Sequence, residues 1–169
     1  MAMEISRHIA DFGMDSISLA GPLDAKLRAM HDAGFGQVML AARDLVGHPM
    51  GWQAAVQEVR SSGLRVTGFQ VLRDFEGLSG HLHDYKVDIA RSMIEMCAAL
   101  GSRVLLACSS TSAHASSEPE HIARDLRKLA MLALPFGIKV AFEGLSFTSI
   151  LQELRLQKAT ARNASASRR

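Results

Sequence analysis

With 169 residues, 48% of them hydrophobic and 21% charged, the chain has enough apolar material for one folded domain with a real core, which excludes a disordered polymer. A formal net charge of +2 excludes the strongly basic surface of a nucleic-acid binder, and the excess lies in the tail, where Arg155, Lys158, Arg162, Arg168 and Arg169 face only Glu153. No apolar run reaches the length of about 18 residues that a membrane span needs, so neither nucleic acid nor membrane is an expected partner.

Residues 1–15 are read as an N-terminal extension, in which Glu4, Arg7 and Asp11 interrupt any signal-peptide-like apolar stretch. A first strand is expected near 16–19 and a helix from about Pro22. Then a pattern repeats: a helix reaches a glycine, and a short apolar run follows. Ala33-Gly34-Phe35 precedes a strand over 37–40, and Ser62-Gly63-Leu64 precedes one over 66–69. Leu100-Gly101-Ser102 leads into a strand over 104–108, and Phe136-Gly137-Ile138 into one over 139–142. Glycine just past a helix end can take the left-handed conformation that closes the last turn, so each junction reads as helix end, tight turn, strand start. The remaining helices are expected from about Trp52, His83 and Glu118, with a further helix-like piece from Ser149.

The helices are amphipathic, with Leu23, Leu27, Met30 and His31 on one face of the first, and Ile89, Met93, Met96 and Leu100 on one face of a later one. The strands are apolar on both sides of the pleat, as a parallel strand buried between two layers must be. Cys97 and Cys108 sit within apolar runs and read as reduced core thiols, which favours a cytoplasmic location. The fold class is therefore α/β, with about five parallel strands and crossover helices: either an open sheet or part of a (β/α)8 barrel. Ala20-Gly21-Pro22-Leu23 carries neither a G-x-G-x-x-G nor a Walker motif, which weakens a dinucleotide-binding sheet.

In either architecture ligands bind at the carboxyl ends of strands, where this sequence is polar. Arg43 and Asp44 follow the second strand, and Gln70 and then Arg73-Asp74-Phe75-Glu76-Gly77 follow the third. Cys108-Ser109-Ser110-Thr111-Ser112 ends the fourth, and Glu143-Gly144 the fifth. Glu143 follows Val140-Ala141-Phe142, where a buried carboxylate needs a cation: a hard divalent metal such as Mg²⁺ or Mn²⁺, or a salt bridge to Arg73. Arg73 offers paired donors to a substrate carboxylate or phosphate, with a loop-stapling pair to Asp74 or Glu76 as the alternative. The serine-rich loop reads as a turn, and His81 and His83 as solvated surface residues.

Four segments together resemble the sugar phosphate isomerase/epimerase group with a xylose-isomerase-like barrel, and within it the bacterial 3-dehydroshikimate dehydratases. They are Ser16-Ile17-Ser18-Leu19-Ala20-Gly21, Phe69-Gln70-Val71-Leu72-Arg73-Asp74-Phe75-Glu76-Gly77, Leu105-Leu106-Ala107-Cys108-Ser109-Ser110 and Val140-Ala141-Phe142-Glu143-Gly144-Leu145-Ser146. The resemblance implies a barrel over 16–146 with one divalent metal, Mg or Mn, held by four side chains at the strand tops. Glu143 stands at the position of the first ligand. It implies that Arg73 contacts a substrate carboxylate, with Gln70 beside it, and that the reaction removes water from 3-dehydroshikimate to give protocatechuate. A small keto acid or keto-sugar is the implied substrate, and no residue is assigned as catalytic.

Past Ser146 the pattern departs, through Phe147-Thr148-Ser149-Ile150 to an Ala- and Ser-rich ending. Residues 147–169 are read as a divergent helix-like and then disordered tail, and truncation by a frameshift or rearrangement is the expectation. A lone carboxylate cannot fix a metal's geometry, so the chain is expected to be inactive by itself. The alternatives are a sugar phosphate isomerase/epimerase and a non-catalytic fragment whose two open sheet edges pair in a homodimer.

Overall fold

The structure is a computed structural model that describes residues 9–145. The expected piece from Ser149 and the expected tail lie outside the described residues. Five strands form one sheet in the order β1-β2-β3-β4-β5, every neighbouring pair parallel. They are β1 (Gly13–Asp15), β2 (Gln37–Ala41), β3 (Arg65–Arg73), β4 (Val104–Cys108) and β5 (Lys139–Glu143). The helices between them are α1 (Leu23–Asp32), the short α2 (Ala42–Val46), α3 (Trp52–Ser61), α4 (Gly80–Ala99) and α5 (Pro119–Ala133).

Strand order decides between the two architectures. A doubly wound sheet reverses its order at a switch point, whereas this one runs on without reversal, and right-handed crossovers then put every helix on the same face. That is the arrangement of a (β/α)8 barrel, of which the described residues form a five-stranded arc. Val38, Leu40, Phe69, Leu72, Leu105 and Ala107 are buried on the helix-covered face. Leu23, Leu27 and Met30 of α1 and Met93, Met96 and Leu100 pack into the same core, whereas His31 is exposed. Burying each such Leu or Phe contributes about 2 kcal/mol. Cys97 and Cys108 are buried and unpaired with each other.

The structure departs from sequence expectation at several ends. The first strand is Gly13–Asp15, not 16–19, because Ser16–Ser18 turns as a 3₁₀ helix. Asp15 Oδ1 accepts the Ile17 N–H at 2.9 Å, and Ser16 Oγ accepts the Ala41 N–H at 2.9 Å, which bends the chain across the top of β2. β3 outlasts its expected span and reaches Arg73 through a register shift between Phe69 and Leu72. α4 starts at Gly80 rather than His83. Among the described residues β5 has no partner on its outer side, and Phe142 and Glu143 are exposed.

Candidate functional site

Register shows which side chains share the inner face. Partners in a parallel ladder point to the same side. Asp15 pairs with Met39, Met39 with Gly68, and Ala41 with Gln70; Arg73 pairs with Cys108, and Cys108 with Glu143. The bulge between Phe69 and Leu72 absorbs one residue, so Gln70 and Arg73 both lie opposite the buried Phe69 and Leu72. Asp15, Gln70, Arg73, Cys108 and Glu143 therefore gather at the carboxyl ends of four strands, on the face without helices.

The loop after β3 leaves its arginine without an ion pair among the described residues. Asp74 Oδ1 accepts from the Thr111 N–H at 2.8 Å and from the hydroxyls of Ser110 and Thr111, each at 3.2 Å. Glu76, 1% exposed, accepts the Ser110 N–H. Gly77 N–H donates to the buried Asp125 Oδ2 at 2.9 Å, and Gly77 O accepts the Ser116 N–H at 2.7 Å. Both carboxylates thus staple the β4 loop, and the expected pairing of Arg73 with Asp74, Glu76 or Glu143 is absent: Arg73 forms no ion pair among the described residues. The serine-rich run 109–112 is an irregular loop held by these bonds, and the chain turns just after it, at Ala113 and His114, where Ala115 N–H donates to Ser112 O.

These carboxylates titrate apart. Desolvation holds Glu76 above the ordinary carboxyl range, with Asp74 and Asp125 adding repulsion, and the Ser110 N–H only partly offsets this. At Asp74 desolvation also pushes upward, yet the Thr111 N–H, the Lys86 charge and the two hydroxyls outweigh it, and its pKa is lowered.

Gln70, 6% exposed, donates from Nε2 to Asp15 Oδ2 at 2.5 Å. Sequence reasoning missed Asp15, because a three-residue strand, Gly-Met-Asp, carries no periodic signal. Asp44 lies outside the group, in a buried 2.7 Å ion pair with Lys26 that ties α1 to α2. A cleft of about 360 Å³ opens between the ends of β2 and β3 and helix α4, lined by Ile17, Arg43, Gln70 and Arg73 and by Lys86, Ile89 and Met93 of α4 among others, with no carboxylate in its wall. Arg43 donates to Ile17 O at 3.4 Å and Lys86 to Arg73 O at 2.9 Å, the Lys86 charge also acting on Asp74.

Glu143 is exposed, not buried as its apolar run suggested, because β5 is an edge strand of the described sheet. Its Oε2 accepts from Cys108 Sγ at 3.4 Å. Desolvation, then the hydrogen bond and charge of Glu143, push the Cys108 thiol up to about 11. Among the described residues no three His, Cys, Asp or Glu side chains come together as metal ligands. His83 instead lies against Phe75, ring centroids 5.5 Å apart, with Nε2 3.1 Å from Lys128 Nζ. A divalent metal therefore does not fit the described residues alone.

Comparison with known proteins agrees with this geometry. A 3-dehydroshikimate dehydratase of Pseudomonas aeruginosa is 32% identical over 132 residues, 78% of this chain and 21% of that protein. The chain thus spans about a fifth of that relative's length. The solved structure of a xylose isomerase-like TIM barrel/4-hydroxyphenylpyruvate dioxygenase fusion protein superposes with a TM-score of 0.73 at 30% identity, over 80% of this chain and 22% of that one. A third relative, the IOLI protein solved with a zinc atom, shares the fold at 17% identity and a TM-score of 0.65, over 79% of this chain and 51% of that one. Among the described residues no helix is long and apolar enough to cross a membrane. A family model described as xylose isomerase-like TIM barrel matches residues 27–160, past the point near Ser146 where the sequence reading ended the resemblance. The unreversed parallel arc, the polar side chains at its strand tops and this match lead to one conclusion: the chain belongs to the xylose isomerase-like TIM barrel family.

Proposed function

We propose that the chain binds a small keto acid of the 3-dehydroshikimate type at its strand tops, as part of a metal-dependent lyase that removes water to give protocatechuate. The observation that supports this reading is Arg73, which forms no ion pair among the described residues and lines a cleft with two further cations and no carboxylate, while Asp74 and Glu76 are engaged by the β4 loop. A guanidinium with unused paired donors is suited to a carboxylate. The relationship to the Pseudomonas dehydratase supports the substrate class.

In this reading Arg73 anchors the carboxylate, Gln70 bonds an oxygen substituent of the ring, and Glu143 is the one ligand this arc offers to Mg²⁺ or Mn²⁺. In this reading the other ligands come from a different polypeptide, so this chain by itself binds substrate without turning it over. Titration calorimetry with 3-dehydroshikimate tests the reading. Arg73→Ala is expected to weaken binding by roughly tenfold to a hundredfold, the worth of a charge-assisted pair of hydrogen bonds. Equal affinity in parent and variant would remove Arg73 from the site.

A further inference from the structure

Asp15 has no role in the reading above, yet it is the nearest polar neighbour of Gln70 on the inner face, and its two oxygens are both in use. Oδ1 accepts the Ile17 N–H at 2.9 Å and Oδ2 accepts Gln70 Nε2 at 2.5 Å. An ionised carboxylate only accepts hydrogen bonds, so whichever way the Gln70 amide is turned elsewhere, here its NH₂ must face Asp15. The amide oxygen is then forced to the other side. Gln70 Oε1 takes no hydrogen bond from the described residues, and it is not among the enclosed, unpartnered polar atoms of the fold. Gln70 itself lines the cleft beside Arg73.

From this geometry we infer that Asp15 is a positioning residue that locks Gln70 with its carbonyl oxygen toward the ligand, making the cleft selective for a hydroxyl donor carried near the anionic group. A ligand carbonyl or ether oxygen at that point meets a second acceptor and is disfavoured, whereas a hydroxyl completes the chain Ile17 N–H, Asp15, Gln70, ligand. Arg73 supplies binding to the anion without regard to hydroxylation, and the Asp15–Gln70 pair supplies the choice. This rests on the proposed carboxylate site, and it adds a specificity element from a strand that precedes every residue assigned so far.

Two probes separate the parts: shikimate, which carries ring hydroxyls, and cyclohex-1-enecarboxylate, which carries the same type of acid and none. The parent protein is expected to bind shikimate more tightly. In Asp15→Ala that preference is expected to shrink about fivefold, the worth of one neutral hydrogen bond, with affinity for the bare acid unchanged. Asp15→Asn keeps side-chain volume and the acceptor for the Ile17 N–H, so it guards against a folding defect, and a loss in the same direction is expected. Preference retained in both folded variants overturns the inference, as does an equal loss of affinity for both probes, which would indicate a structural role alone. The Gln70 side-chain amide provides a readout without ligand: its NH₂ resonances should be dispersed and protected from exchange in the parent and lose that protection in Asp15→Ala. If neither probe binds, the carboxylate site itself fails, and the amide signal still shows whether Asp15 holds Gln70.

Discussion

Arg73 has no ion-pair partner among the described residues because its acidic neighbours are occupied, and those neighbours account for the local pH behaviour. Glu76 is held above the ordinary carboxyl range by desolvation, so the folded state keeps its proton where the unfolded chain has lost it. The folded protein then binds more protons, and this group's contribution makes stability fall as pH rises from the unfolded value through the raised one. Glu76→Gln, which retains an acceptor for the Ser110 N–H, is expected to flatten that decline. Urea melts of parent and variant between about pH 4 and pH 8 measure it, and parallel curves would mean that Glu76 ionises in the folded state as it does unfolded.

Residue by residue, the sequence was legible where chemistry follows an apolar run. Glu143 ends β5 directly after its apolar run, as expected, whereas Gln70 and Arg73, expected beyond the third strand, lie within β3, which runs on to Arg73. Asp15 was not legible, since Gly-Met-Asp offers no alternation and the more apolar Ile17 and Leu19 drew the strand forward. The exposure of Glu143 was not legible either, because burial of an edge strand depends on what packs beside it rather than on its own residues. Whether the carboxylates near Arg73 would pair with it was equally open. Only the fold shows that the β4 loop lies close enough to take both.

At the scale of elements, the β3 and β4 loops act as one unit pinned at Gly77. Its φ is +78°, and a Cβ there would lie 2.6 Å from Ser116 O and 3.0 Å from Ser116 N. Gly77→Ala therefore combines a left-handed backbone penalty with a clash against backbone, and a loss of about 2–4 kcal/mol is expected. Gly63 is the internal control. It also has positive φ, +76°, but nothing lies within 4 Å of an added Cβ, so Gly63→Ala should cost only about 1–2 kcal/mol. Denaturant midpoints compare the two, and equal losses would show that the Ser116 contact yields without cost. The repeating glycine junctions had marked the αβ units correctly, whereas α2 and the 3₁₀ turn after β1 left no mark, being too short to show a period.

For the whole molecule, an unreversed run of parallel strands means an arc with two open edges, at β1 and β5 among the described residues. Unpaired edges recruit partners, and Phe142 and Glu143 at the β5 edge are exposed. We propose that a second copy covers these edges. Sedimentation velocity over a range of concentrations should show self-association, and a single monomeric species at every concentration would mean that the edges are protected within the chain.

The central claim is that this arc carries the substrate-anchoring side of a metal-dependent lyase site and one of its ligands, but not the whole. Mn²⁺ titration calorimetry on parent and Glu143→Ala, with 3-dehydroshikimate present and protocatechuate formation followed in the same samples, tests it most directly. Arg73-dependent substrate binding without tight Mn²⁺ uptake or turnover is the predicted result. Tight, Glu143-dependent Mn²⁺ binding with steady protocatechuate formation would contradict it, because a complete site would then be assembled from this chain alone.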